Sequence, residues 1–266
     1  MPEGDTVWLT ARRLQRATGG DVLTGCDVRV PAHATADLVG WTVLEVVSRG
    51  KHLLHRLRDP AGSAPLTLHT HLKMEGSWHL YRPGGRWRRP AHEARVVLST
   101  AEWQAVGFAL GICELVRTAD EDAVVGHLGP DLLGDDWDAA EAVRRLRAAP
   151  DRTVAEALLD QRNLAGIGTL YRSETLFLRG VHPRTPVESV PALADLVDTA
   201  HRLLTANRES PAQSTTGLTR RGQEHWVYNR AGQPCRRCRT RVEHAEIGPA
   251  GRTRGVFWCP HCQPAG

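Results

Sequence analysis

The sequence predicts an α+β multidomain chain: a β-rich N-terminal lobe led by a helix, an α-helical lobe, and a small C-terminal lobe held by cysteines. Three observations predict it. Near residue 120 the hydrophobic pattern changes from short β-rich runs to a period near 3.6 residues. A helical stretch over residues 5–18 precedes the first β-rich run. Four of the six cysteines stand near the C-terminus as two Cys-x-x-Cys pairs. A chain of 266 residues exceeds the usual single-domain size, which agrees with a division into 1–120, 121–222 and 223–266.

Taken in order, Val7, Ala11, Leu14 and Thr18 recur at helical spacing, and Gly19-Gly20 ends that helix. Residues 21–30, 42–57, 64–72 and 94–108 are β-rich runs punctuated by Gly and Pro. Cys26 and Cys113 fall in strand-like segments and read as small core residues. Residues 82–92, with Pro83, Gly84, Gly85 and Pro90, read as an exposed basic loop. Helices are expected over 138–148, 153–161, 169–179 and 191–206, followed by a polar linker over 207–232. The last lobe carries Cys235-x2-Cys238 and Cys259-x2-Cys262, 20 residues apart. Two such knuckles supply the four thiolates of one tetrahedral, structural Zn²⁺, without which so small a lobe hardly folds. A redox pair needs only one Cys-x-x-Cys.

With 41% hydrophobic and 24% charged residues, wholesale disorder is excluded. No apolar run reaches the roughly 18 residues of a membrane span, and the N-terminus has no signal-peptide core, so a cytoplasmic, nucleoid-associated protein with no membrane partner is expected. The net charge is +4, but it is unevenly spread: residues 220–254 hold nine Arg against Glu224, Glu243 and Glu246. That basic end points to a polyanion. All but two of the 34 basic residues are Arg, the exceptions being Lys51 and Lys73. Because Arg is not deprotonated in proteins and Lys is, those two are candidates for proton chemistry.

The opening Met1-Pro2-Glu3-Gly4 carries a candidate nucleophile. Removal of Met1 leaves Pro2 as a secondary amine, and an α-amino group, with its ordinary pKa of about 8, is far more often neutral than a Lys side chain. The helix that follows turns its positive dipole end toward this terminus and favours the uncharged amine. Attack of Pro2 on a sugar C1′ gives a cationic iminium that acidifies C2′ and permits β-elimination of the 3′ phosphate. Glu3, directly adjacent, is placed for general acid–base work.

These features, with Ser48-Arg49-Gly50-Lys51-His52-Leu53-Leu54, His71-Leu72-Lys73-Met74-Glu75-Gly76, Gly129-Pro130-Asp131-Leu132-Leu133, the segment 158–171 and Phe257-Trp258-Cys259-Pro260-His261-Cys262, run the length of the chain. Together they resemble the formamidopyrimidine-DNA glycosylase and endonuclease VIII family, and the opening resembles its endonuclease VIII branch. The resemblance implies an N-terminal β-sandwich, a helix–two-turn–helix lobe and a zinc-finger β-hairpin, with DNA in the cleft between the lobes. It implies Pro2 as Schiff-base nucleophile, Glu3 as proton donor for base release, Lys51 as proton donor associated with β-elimination, and Arg254 for δ-elimination and phosphate contact. Met74 matches the position that fills the hole left by a flipped nucleotide, and Lys73 and His127 match DNA-contacting positions. Thr169 stands where the family commonly has Asn. As the first residue of a helix it is expected beside free backbone N–H groups, a ready phosphate site. Thr6 stands where the family commonly has Glu.

The expected function is therefore a bifunctional DNA glycosylase and AP lyase of base-excision repair. Its expected partner is double-stranded DNA with an oxidised base, a pyrimidine above all, or an abasic site, and it is expected to act as a monomer. Two other classes stand beside it. A non-catalytic, zinc-dependent damaged-DNA-binding module uses the same basic end and knuckles but no free Pro2 amine. An N-terminal-proline tautomerase accounts for Pro2 and leaves the cysteines and the arginine field unexplained.

Overall fold

The computed structural model describes residues 2–251 and 253–265, and its contacts divide them into two units. The first unit holds Pro2 and Thr6–His127. Its helix α1 (Gly4–Thr18) buries Val7, Ala11 and Leu14 along one stripe, and its strands form two four-stranded antiparallel sheets. One sheet has the order β1 (Gly25–Val28), β6 (Ala94–Ser99), β7 (Gln104–Phe108), β5 (Ser77–Tyr81). The other has the order β2 (Thr42–Arg49), β3 (His52–Arg58), β4 (Leu66–His71), β8 (Ile112–Arg117). Val28, Val96, Leu98 and Ala105 of the first sheet share one apolar cluster with Val43, Val46, Leu53, Leu57 and Leu68 of the second, so the lobe is a β-sandwich. A short helix, α2 (Asp122–Val125), closes the unit.

The runs 42–57 and 94–108, read as single stretches from sequence, are each a hairpin. β2 meets β3 with Arg49 opposite His52, so the chain reverses on Gly50 and Lys51, and Gly50 has the positive φ (56°) that the reversal requires. Strand alternation then separates two faces. Leu53, Leu57 and Leu68 point into the sandwich core, whereas His52, opposite His71, and His69, opposite Glu114, lie on the other face. β5 and β8 are edge strands with half-buried side chains, which is why their sequences signal strand so weakly.

The second unit holds Glu3–Asp5 with the chain from Leu128 onward. Asp138 caps α3 (Ala139–Arg147) by accepting from Glu141 N, and Thr153 caps α4 (Val154–Leu159) by accepting from Glu156 N. α5 (Thr169–Arg179) ends on left-handed Gly180, and α6 (Leu193–Asn207) packs on it. Residues 169–177 of α5 are all buried, making it the central helix. The antiparallel hairpin β9 (Glu243–Ile247) and β10 (Arg254–Trp258) feeds Ile247, Val256 and Trp258 into the same helical core. Among the described residues no helix is long and apolar enough to cross a membrane.

Candidate functional site

In the second unit the structure brings together two residues 165 positions apart in the chain. Glu3 is fully buried, and its carboxylate accepts hydrogen bonds from the backbone N–H groups of Gly168 (2.7 Å), Leu170 (2.7 Å) and Tyr171 (3.4 Å). Those are orphan donors of the first turn of α5, so the carboxylate serves as the cap that Gly168, which has no side chain, cannot provide. Both oxygens accept, so each is held by at least one backbone N–H donor of the helix terminus. Gly4 N donates to Gly166 O at 2.8 Å, and a Cβ on Gly4 would lie 2.9 Å from Gly166 Cα; only glycine allows this approach.

This corrects one expectation. Thr169 does begin α5, but the N–H groups around it are not free for a phosphate: Glu3 occupies them. Thr169 is itself buried, and its side chain hydrogen-bonds Tyr228. Gly168, not Thr169, is the N-cap residue.

Several polar residues of this region were not singled out from sequence. Asp5, 1% exposed, accepts from Tyr171 Oη at 2.7 Å and from Gln213 Nε2 at 2.9 Å, and burial together with Asp5 drives the Tyr171 phenol far above its usual range. Arg172, fully buried, donates to Gly255 O at 2.5 Å and so ties α5 to β10; burial lowers its pKa to about 10. Glu174 accepts from the backbone N–H groups of Trp226, Val227 and Tyr228, each at 2.8 Å, and from the Thr215 hydroxyl. The polar linker is thus fastened to the central helix by one buried carboxylate.

In the first unit Pro2 is half-buried, and Met1, whose removal would free the Pro2 amine, lies outside the described residues. Lys51 occupies the β2–β3 turn. Lys73 is exposed after β4 in the left-handed conformation (φ 52°), with its N–H donating to His71 Nδ1 at 2.9 Å. A non-glycine residue held there is strained, and Gly111 makes room for it: a Cβ on Gly111 would lie 2.1 Å from Lys73 Cγ. Met74 is 62% exposed, so it is no core residue. His127 is exposed, its ring 6.2 Å edge-on from that of His52. Four histidines, His52, His69, His71 and His127, therefore gather at the same end of the sheet as both lysines. Sequence reasoning missed His52 and His69, although the alternation Leu66-Thr67-Leu68-His69-Thr70-His71 puts His69 and His71 on one strand face.

The four knuckle cysteines converge. None is in a disulfide, and their sulfurs lie within 4.8 Å of one another, with Cys235–Cys262 at 3.9 Å, Cys238–Cys262 at 3.5 Å and Cys238–Cys259 at 3.4 Å. Thiolates about 2.3 Å from a shared tetrahedral centre stand about 3.8 Å apart, so the cluster fits one metal ion. Arg254 opens β10, exposed, with its guanidinium donating to Thr253 O.

A β-sandwich, a helical unit whose central helix is capped by a carboxylate from residue 3, and a hairpin beside four thiols form the architecture of a DNA glycosylase. It superposes on the formamidopyrimidine-DNA glycosylase of Lactococcus lactis, solved bound to DNA containing an abasic site, with a TM-score of 0.80 at 23% identity over 99% of this chain and 100% of that one. The formamidopyrimidine-DNA glycosylase N-terminal domain matches residues 1–109, and the H2TH domain of the same family matches residues 128–216. The chain belongs to the formamidopyrimidine-DNA glycosylase family. Among curated relatives, probable endonuclease 8 2 of Streptomyces coelicolor is 54% identical over 99% of this chain and 94% of its own length. The DNA-(apurinic or apyrimidinic site) lyase Nei2 of Mycolicibacterium smegmatis is 48% identical over the whole of both chains.

Proposed function

We propose that this protein is a bifunctional DNA glycosylase and AP lyase of base-excision repair, acting as a monomer on double-stranded DNA with an oxidised pyrimidine or an abasic site. One observation carries the reading: the residue after Pro2 is a buried carboxylate seated on the N-terminus of the central helix, so the chain beside the candidate nucleophile is fixed in place.

In this reading Met1 is removed and the neutral amine of Pro2 attacks C1′. The N–C1′ bond forms as the bond to the base breaks, and the base leaves with a proton supplied through Glu3. The amine then gives up its proton, and the C1′–O4′ bond breaks as O4′ takes one, which opens the sugar and leaves a cationic iminium; this acidifies C2′, and loss of a C2′ proton breaks the C3′–O bond and releases the 3′ phosphate. Lys51 handles protons in this step. Arg254, an exposed cation, contacts phosphate and serves any δ-elimination, and Lys73 and His127 contact the DNA. Thr169 acts through its side chain, since the N–H groups at its helix terminus are taken. Met74, flexible, apolar and exposed, fills the place of the extruded nucleotide. Cys235, Cys238, Cys259 and Cys262 would hold a single structural Zn²⁺, which locks the lobe over 223–266 so that Arg254 is presented on a fixed strand.

The test is borohydride trapping on duplexes carrying an abasic site or an oxidised pyrimidine, alongside intact mass analysis. A chain lacking Met1 is expected to form a covalent protein–DNA species, and one whose N-terminus is blocked is not. A protein that binds these duplexes in a salt-sensitive manner but never becomes trapped would be the non-catalytic binding module instead.

A further inference from the structure

The first unit holds a cavity of about 330 Å³, a volume within the range of small-ligand sites, between α1 and the edge strand β5. Arg13 lines it from α1, Trp78, His79 and Tyr81 line it from β5, and Arg88 lines it from the loop that follows. No acidic side chain does, and no residue with a role in the reaction proposed above does.

The charge of this cavity is uncompensated. Two other arginines of the loop are paired, Arg82 with Glu102 at 2.9 Å and Arg89 with Glu93 at 2.6 Å. Arg13 and Arg88 form no ion pair among the described residues, yet both line the same cavity. Burial, with Arg89 and Arg88 close by, lowers the pKa of His79, so its ring is neutral near pH 7 and the two guanidiniums supply the positive charge. Two such forks complement a dianion with several acceptor oxygens, which describes a phosphate monoester at neutral pH. The walls are held in place as well. Trp78 packs at a tilt on buried His55, ring centroids 4.8 Å apart, and its indole N–H donates to Thr70 Oγ1 at 3.3 Å. Tyr81 Oη accepts from the backbone N–H of Arg88 at 3.0 Å and lies 3.0 Å from His79 Nδ1, which pins the chain that carries Arg88. Trp87 Nε1 donates to Gln104 Oε1 at 2.7 Å and fastens the same loop to β7. A fixed indole beside two unpaired guanidiniums suits a ligand that joins an aromatic base to a phosphate, since an aromatic side chain offers a stacking platform to any base.

We propose that this cavity binds a nucleoside 5′-monophosphate, its phosphate held by Arg13 and Arg88 and its base against Trp78. A free mononucleotide and the 5′-phosphorylated end of a DNA strand present the same chemistry. Elimination at an abasic site leaves an end of the second kind, but the cavity's chemistry is independent of that reaction.

The test is calorimetric titration of the full-length protein with adenosine 5′-monophosphate, adenosine and ribose 5-phosphate. The mononucleotide should bind with a Kd of roughly 0.1 mM, and the two fragments, each lacking one half of the ligand, at least about tenfold more weakly. Arg13→Gln and Arg88→Gln remove charge from exposed side chains, so each should leave Tm unchanged and weaken the mononucleotide about tenfold. In the same titration followed by NMR, the ring resonances of His79 should move while those of His201, in the second unit, stay in place. Two short single strands of oligothymidylate, identical except for a 5′-phosphate or a 5′-hydroxyl, separate the sources. Tighter binding of the phosphorylated strand, lost in both variants, assigns the strand end; mononucleotide binding without that preference assigns the free nucleotide. No binding of the mononucleotide up to about 10 mM overturns the site. So does binding that neither variant weakens or that leaves His79 unmoved, which would place the ligand elsewhere. Ribose 5-phosphate binding as tightly as the mononucleotide overturns the assignment to a nucleotide, leaving a site for anions alone.

Discussion

Gly168→Ala puts the seating of Glu3 on α5 to a direct test. The backbone at Gly168 has φ −131° and ψ −159°, extended geometry that alanine adopts freely, so the perturbation is purely steric. The new Cβ would lie 2.5 Å from Glu3 Cδ and 2.6 Å from Oε1, against the roughly 3.5–4.0 Å of an unstrained carbon contact. The carboxylate must therefore move by about 1 Å, away from the N–H groups of Gly168, Leu170 and Tyr171. A hydrogen bond to a charged group is worth about 1.5–3 kcal/mol, and loss of one or two at a fully buried carboxylate should cost about 2–4 kcal/mol of stability. In a chain of this length that is a fall in Tm of roughly 10 °C. Misplacing a reacting group by about 1 Å costs on the order of a hundredfold in rate. The assay is single-turnover cutting of two duplexes, one with an oxidised pyrimidine and one with a preformed abasic site. Under the proposed role of Glu3 in base release, excision should fall about a hundredfold and cleavage of the abasic site distinctly less. Wild-type excision together with an unchanged Tm would refute the seating of Glu3 as the basis of its role.

Met74→Ala should change stability by less than about 0.5 kcal/mol, because the side chain is mostly exposed, while weakening capture of lesion duplex; equal affinity for intact and lesion-containing DNA in both proteins would remove Met74 from the reading. If the four cysteines hold a structural metal as proposed, its chelation should loosen the β9–β10 hairpin, withdraw Ile247, Val256 and Trp258 from the helical core and abolish DNA binding, with recovery on adding zinc; near-ultraviolet circular dichroism and a binding titration report the two effects. Stability should rise with pH between about 4 and 6.5. Burial lowers the pKa values of His52, His55 and His71 to about 3, 4 and 4, so the unfolded chain binds more protons in that window and acid favours unfolding. Each contributes a slope of at most about 1.4 kcal/mol per pH unit, measurable as urea midpoints at pH 5 and pH 7; a midpoint that falls over this range would contradict the burial of neutral imidazoles.

The parts of this molecule that were legible in sequence are those specified by local chemistry. Gly19-Gly20 marks the end of α1, the helical period locates α5 and α6, and two Cys-x-x-Cys pairs suffice to expect a convergent thiol cluster. What escaped depends on contacts between distant positions. No local pattern ties Glu3 to Gly168, and the helix terminus beside Thr169 reads as an open phosphate site until the carboxylate that fills it is seen. Arg172, Ser173 and Glu174 look like the solvated face of an amphipathic helix, yet all three are buried, because β10 and the linker cover that face and supply their partners. The hydrogen-bonded run of His52, His69 and Glu114 is equally hidden: its members come from three strands, and only the registers of β3, β4 and β8 align them.

The seating of Glu3 also sets an order of events during synthesis. All eight strands of the sandwich precede residue 118, whereas the N–H groups that receive Glu3 belong to residues 168–171. At about 5–20 residues per second, roughly 10–30 s separate the emergence of Glu3 from that of its seat. Through that interval the nascent chain can complete its sandwich while Glu3 has no seat. A message cut short anywhere before α5 yields a product without the fixed carboxylate, so the placement of Glu3 belongs only to a chain translated far enough to carry the helix that grips it.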